Sequence, residues 1–171
     1  MQTQNESTAR GAPTNAEASI DVARMLDRSA IRDLVDAYAH HADRRDPAGQ
    51  AAVFAENGQV RLFQGDPARS APMQTITGRA ELAATFAGLI EQYEVTTYLN
   101  GQSVIDVHGD TASGESYCLA HHLLHRDGER KLLTMAIRYL DQFDRTDDGW
   151  RIARRDLVFD WTDERASKPQ S

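Results

Sequence analysis

Tyr38-Ala39-His40-His41-Ala42-Asp43-Arg44-Arg45-Asp46 closes the first long helical pattern of the chain, and it sets a phenol, two imidazoles and a carboxylate where an apolar helix gives way to a charged turn. Upstream, Ile31, Leu34, Val35, Tyr38 and Ala42 recur at helical spacing and mark one apolar face, with Arg32, Asp33, Asp36 and His40 on the other. Tyr38 therefore points inward. Asp43 follows it by roughly one and a half helical turns, so both groups can reach one cavity beneath the helix end. The plainer reading of the same residues is a core tyrosine with a satisfied hydroxyl, and an aspartate that starts the turn with Arg44, Arg45 and Asp46.

A chain of 171 residues, 40% of them hydrophobic, suits one domain with a real core. Its net charge of -7 argues against a nucleic-acid or anionic-membrane surface, which needs clustered Lys and Arg. No apolar run approaches the roughly 20 residues of a membrane span, and the polar N-terminus does not read as a signal peptide. The lone Cys118 excludes an internal disulfide and fits a reducing cytoplasm. The expectation is a soluble cytoplasmic protein.

Residues 1–19 hold almost no large apolar side chain and read as a mobile tail. Ile20 to Leu26 begin a short amphipathic turn or helix, and Asp27 or Ser29 suits the cap of the long helix that follows. Pro47 suits the first turn of a second short helix through about Ala55, ended by Asn57-Gly58. Gln59 to Phe63 alternates as a short strand. Gln64 to Thr77, with Gly65, Pro67 and Pro72, reads as a long loop of the kind that often forms a lid or binding segment. A helix follows Gly78, with Leu82, Phe86, Leu89, Ile90 and Tyr93 as its apolar stripe.

The second half changes period. Val95–Val107, Ala112–His125, Lys131–Phe143 and Trp150–Trp161 read as four long strands, separated by His108-Gly109-Asp110, Arg126-Asp127-Gly128 and Thr146-Asp147-Asp148-Gly149. Helices first and strands afterwards make the class α+β, with helices on one face of a curved, mainly antiparallel sheet. The domain is expected over residues 20–162, with a flexible tail at 163–171. Several strands are apolar on both faces, whereas antiparallel sheets normally leave one face wet. The far face is therefore expected to meet another subunit in a homo-oligomer.

Ile31-Arg32-Asp33-Leu34, the Tyr38 and Asp43 pair, Asp43-Arg44-Arg45-Asp46, Thr77-Gly78-Arg79 before a helix, Gly109-Asp110-Thr111-Ala112 between strands and Gly149-Trp150-Arg151-Ile152 together resemble the SnoaL-like branch of the nuclear transport factor 2-like superfamily. The likeness runs over roughly residues 25 to 162. It implies a cone-shaped α+β barrel enclosing one deep apolar pocket. The nearest functional likeness is to scytalone dehydratase, bile acid 7α-dehydratase and hexachlorocyclohexane dehydrochlorinase, which eliminate water or HCl without metal or organic cofactor. The dehydratase-like relatives suggest a trimer and other branches a dimer.

Carried over residue by residue, Asp43 matches the aspartate those enzymes keep at the helix end, Tyr38 a tyrosine of the bile acid enzyme, and His122 the second histidine of scytalone dehydratase. His121 lies on the opposite face of any regular strand. The departure is Tyr98, which stands in Thr97-Tyr98-Leu99-Asn100-Gly101 where the family's segment carries its principal acid/base histidine. A phenol near 10 is a poor base but a competent hydrogen-bond donor. A catalytic pocket would use Asp43 or His122 as base and Tyr38 and Tyr98 as donors, in the manner of ketosteroid isomerase, with its carboxylate base and phenolic donor.

Phe63, Phe86 and Leu89 are expected to shape the pocket, Trp161 to cover it, and Arg138 either to line it or to pair across a subunit interface. His121, His122 and His125 are split by the strand pattern, so no metal site is expected. The expected function is a cofactor-independent lyase or isomerase doing proton transfer on a small hydrophobic polycyclic, steroid-like or polyketide molecule. The alternatives are a non-catalytic binding or assembly module, and an epoxide hydrolase or polyketide cyclase.

Overall fold

The computed structural model describes residues 14–168, apart from the side chains of residues 15–18. Three helices, α1 (Asn15–Asp43), α2 (Pro47–Ala52) and α3 (Arg79–Glu91), accompany six strands: β1 (Phe54–Gln64), β2 (Gln74–Thr77), β3 (Val95–His108), β4 (Thr111–Arg126), β5 (Glu129–Thr146) and β6 (Gly149–Ala166). The α+β class holds. The strands form one sheet in the order β2-β1-β6-β5-β4-β3, antiparallel except where β1 runs parallel to β6. The sheet does not close on itself, since β2 and β3 are its two edges. Helix α1 lies along β3 and β6, while α3 packs on α2, β1 and β2, so the helices complete the walls that strand pairing leaves open.

The three expected hairpins are present because each turn contains residues that reach positive φ. Asp127 and Gly128, at φ 55 and 76, make the two-residue turn between the paired Arg126 and Glu129, the geometry that matches the twist of the flanking strands. Gly109 and Gly149 serve the other two turns at φ 63 and 97.

Several element boundaries differ from the sequence reading. Part of the expected tail, residues 1–13, lies outside the described residues, but Asn15 to Ser19 already belong to α1. Asp27 and Ser29 do not cap a second helix, because α1 is continuous through them. Asp27 instead accepts from Trp150 Nε1 at 3.0 Å and from Arg145 Nη2 at 2.7 Å, pinning α1 to the β5–β6 hairpin. Helix α2 stops at Ala52, and Phe54 to Gly58 enter β1 through a register shift against β6 between Phe54 and Gln59. Gly58 fits there because a Cβ would stand 2.8 Å from Phe54 Cβ and 2.9 Å from Ala55 O. The segment read as a loop from Gln64 to Thr77 ends in β2, which pairs with β1 at Gln59 to Leu62. At the other end, β6 runs past Trp161 and Asp163 to Ala166, opposite Lys131.

The core lies between the helices and the inner sheet face. Ile31, Val35, Tyr38 and Ala42 of α1 are buried, and the Tyr38 ring meets Phe54, Phe86 and Tyr139 edge-on at centroid distances of 5.7–6.0 Å. Such pairs add to simple area burial. Arg155, fully buried, lies between the rings of Tyr139 and Tyr38 at 3.9 and 4.4 Å and is held by Asp141 through two hydrogen bonds of 2.8 and 2.7 Å. Burial opposes the charge on Arg155, but the Asp141 carboxylate outweighs it and holds the guanidinium above its ordinary pKa. Neither Arg155 nor Asp141 stood out in the sequence.

Candidate active site

A cavity of 330 Å³ opens between the helices and the inner face of the sheet. Aliphatic and aromatic side chains from every layer line it, among them Val60, Leu62, Ile76, Phe86, Leu89 and Ile137. Its polar lining is Tyr38, Gln50, Gln74, Thr85, Tyr93, Thr96, Tyr98 and His122, with no Asp, Glu, Lys or Arg among the described residues.

Tyr98 and His122 meet because β3 and β4 pair with Tyr98 opposite Ala120 and Thr96 opposite His122. Alternation then points both side chains inward. Tyr98 Oη and His122 Nε2 are 3.3 Å apart, with the rings edge to face. Tyr93, just beyond α3, covers the imidazole from its other side at a centroid distance of 4.3 Å. Burial pushes the His122 pKa down to about 4; the Ala120 carbonyl partly offsets this, and His121 adds to it. The imidazole is therefore neutral at pH 7. Its buried Nδ1 has no hydrogen-bond partner among the described residues, and the roles of the two ring nitrogens depend on which of them carries the proton. With the proton on Nδ1, Nε2 accepts from the Tyr98 hydroxyl. Burial likewise lifts the Tyr98 phenol well above its ordinary range, with Tyr38, Cys118, Tyr93 and Asp43 adding to the effect, so it stays protonated.

Asp43 does not line the cavity. Both of its carboxylate oxygens accept from the Tyr98 backbone N–H, at 3.2 and 3.1 Å, and Oδ1 is 3.1 Å from the Thr96 hydroxyl. The helix ends where these donors lie, so the aspartate is spent on fastening α1 to the edge strand β3. The sequence, which lacks the register of β3 against the helix, could not separate this clamp from a carboxylate aimed into a pocket.

Tyr38, Tyr98, His122, Phe86 and Leu89 line the cavity; Phe63, Arg138 and Trp161 do not. Phe63 alternates with the lining residues Leu62 and Val60 and is buried under the Arg61 guanidinium on the other side of β1. Arg138 clamps Asp160, both oxygens within 3.0 Å, and reaches Glu115 at 3.4 Å. Trp161 is 53% exposed and borders a separate depression with Leu99, Tyr117 and Leu119. A register shift in β6 opposite Ala136 and Ile137 changes which side chains face inward, and Phe159 takes the cavity position instead. His121 points away from His122, its Nδ1 3.0 Å from Thr134 Oγ1. Gln50 and Tyr93 were missed as site residues. The one signal for Gln50 was a lone amide in an otherwise small and apolar stretch, Gly49-Gln50-Ala51-Ala52-Val53.

The model of the SnoaL-like domain matches residues 23–156. The chain belongs to the SnoaL-like family. This SnoaL-like protein is 27% identical over 139 residues to an uncharacterised protein of Mycobacterium tuberculosis, covering 80% of the chain and 87% of that relative. A solved structure from Novosphingobium aromaticivorans, described as a "putative scytalone dehydratase", superposes with a TM-score of 0.68 at 27% identity, covering 85% of this chain and 94% of its own. A hexachlorocyclohexane dehydrochlorinase superposes with a TM-score of 0.74 at 17% identity, covering 88% of this chain and 97% of its own, a likeness of fold.

Proposed function

We propose that this SnoaL-like protein is a cofactor-independent lyase or isomerase that moves a proton on carbon next to a carbonyl, in a neutral, mostly apolar ring compound. The observation that carries this reading is the Tyr98–His122 contact in a cavity with no charged side chain. An apolar cavity of about 150 Å³ accepts benzene, so 330 Å³ suits a skeleton of two fused rings.

In this reading the proton on the α-carbon passes to Tyr98 Oη as the phenol's own proton passes to His122 Nε2, forming an imidazolium. The enolate oxygen takes a hydrogen bond from Tyr38, a preorganised donor in a low-dielectric site. In an elimination, the β-hydroxyl then leaves as water with the proton that His122 returns through Tyr98. Both side chains end as they began. In an isomerisation the same proton returns to a different carbon. Asp43 is not the base here; it holds the β3 backbone at the position where the phenol meets the imidazole.

A binding module without chemistry is the second reading. It is favoured by Tyr98 standing where the family resemblance calls for a histidine, and by the hydrogen-bonded state of Asp43.

The test is hydrogen–deuterium exchange at the α-carbon of 1-tetralone and 2-tetralone in D2O, followed by NMR. Wild-type protein is expected to accelerate exchange, and Tyr98→Phe and His122→Gln to lose about 10²-fold or more of it, the usual contribution of a positioned acid or base. Asp43→Asn is expected to stay within about tenfold of wild type. Ligands that bind but exchange no faster than in buffer would leave only the binding module.

A further inference from the structure

Gln50 is 3% exposed and lines the cavity, and its buried Oε1 has no hydrogen-bond partner among the described residues. A buried amide oxygen left in this state costs about 1–3 kcal/mol. Side chains that the fold leaves so exposed to loss are a reason to look for an absent partner.

The chain holds this amide in place with some care. Asp46 caps α2 by accepting from the Gly49 N–H at 2.8 Å, and its other oxygen lies 3.0 Å from His41 Nδ1. The Gln50 N–H donates to the Asp46 carbonyl at 2.9 Å. Gly49 leaves no room for a side chain, because a Cβ there would collide with the Asp46 carboxylate and the His41 ring. Helix α2 is thereby locked to the end of α1, and Gln50 is brought beside Tyr38, whose phenol feels the Gln50 amide as a hydrogen-bond neighbour. The Tyr38 hydroxyl is a donor and acceptor, while Gln50 Oε1 accepts only.

We infer that Gln50 is a specificity-determining residue that accepts a hydrogen bond from a hydroxyl group on the ligand, making the ligand a neutral hydroxylated ring compound and not a bare hydrocarbon or ketone. A hydroxyl suits the position because it brings the proton that Gln50 Oε1 lacks, while the Tyr38 proton stays with the carbonyl oxygen. An anionic group does not, because it brings no proton for Oε1 and the described residues of the lining offer it no Lys or Arg. The inference deepens the proposed reading, since it concerns the same cavity, yet it is a statement about binding and does not need turnover.

The experiment compares the affinities of 1-tetralone and 4-hydroxy-1-tetralone by calorimetry, on wild type and on Gln50→Leu, with thermal melts to verify folding. Wild type is expected to bind the hydroxylated ketone at least tenfold more tightly. Gln50→Leu is expected to lose that preference while holding 1-tetralone at least as well as wild type, because an unpaired polar atom has been replaced by an apolar group of similar size. Gln50→Glu serves as a second variant at the same position, and it is expected to retain the preference, since a carboxylate oxygen also accepts. Equal affinity of wild type for the two ketones, an unchanged preference in Gln50→Leu, or no binding of either ketone overturns the assignment. Loss of α-carbon exchange with the preference intact would instead remove the lyase or isomerase reading and leave this one standing.

Discussion

His122 couples the candidate site to the stability of the whole fold. Its folded-state pKa of about 4 lies below the ordinary 6.5 because burial disfavours the imidazolium. Between these values the unfolded chain binds a proton that the folded chain does not, so stability rises with pH across this window. The contribution is fully present above pH 6.5 and is lost as pH falls toward 4. The displacement is worth roughly 3 kcal/mol at most. Urea unfolding at pH 4.5 and pH 7 is expected to show a larger loss at the lower pH for wild type than for His122→Gln; equal losses would show that the histidine is not held neutral. For the same reason, catalysis through a neutral His122 and a protonated Tyr98 is expected to be flat between about pH 6 and 9. This pair was half legible in sequence. Strand alternation separates His121 from His122 and the family resemblance points to His122, but its partner was legible only as an odd tyrosine, because nothing local to Tyr98 says which residue of β4 stands across from it.

Between elements, the buried Arg155–Asp141 pair joins β6 to β5 beneath Tyr38. Two charges taken out of water are costly, and removing one partner leaves the other unpaired in a low-dielectric interior. Arg155→Met is therefore expected to destabilise the protein by about 3–5 kcal/mol, measured by chemical denaturation. The double variant Arg155→Met with Asp141→Leu is expected to recover most of this, because two apolar side chains can fill the same space. A single variant as stable as wild type would mean that the pair contributes nothing beyond its packing. The element boundaries that went unread have a common cause. Helix α2 was extended too far and β2 was missed because both depend on pairing with β1 and β6, where Gly58 allows a register shift that no local pattern announces.

At the scale of the molecule, the outer sheet face carries an apolar row across four strands: Leu99, Leu119, Ala136 and Trp161 stand opposite one another in register. Leu99, Leu119 and Trp161 are 56%, 40% and 53% exposed, and Tyr117 is exposed nearby. Contiguous apolar exposure of this kind marks an interaction surface. We propose that it is covered by a second copy of the chain. Light scattering coupled to gel filtration is expected to give a multiple of 19.0 kDa, and Leu119→Glu with Trp161→Glu is expected to shift the protein to the monomer mass while preserving its circular dichroism. A wild-type monomer at high micromolar concentration would exclude this role for the face. Among the described residues, no helix is long and apolar enough to cross a membrane.

The sequence by itself determined the α+β class, the amphipathic face of α1, the four long strands with their hairpin turns, the inward direction of Tyr38, and that His121 and His122 face opposite ways. All of these follow from periodicity and turn chemistry, which act between near neighbours along the chain. Only the tertiary structure decided that Asp43 fastens the β3 backbone, that Arg138 and Trp161 stand away from the cavity, that Tyr98 meets His122, and that Gln50 presents an amide oxygen with no partner among the described residues. Each of these depends on strand register, a bulge or the packing of a short helix, and a shift of one residue in any of them turns a side chain to the opposite face.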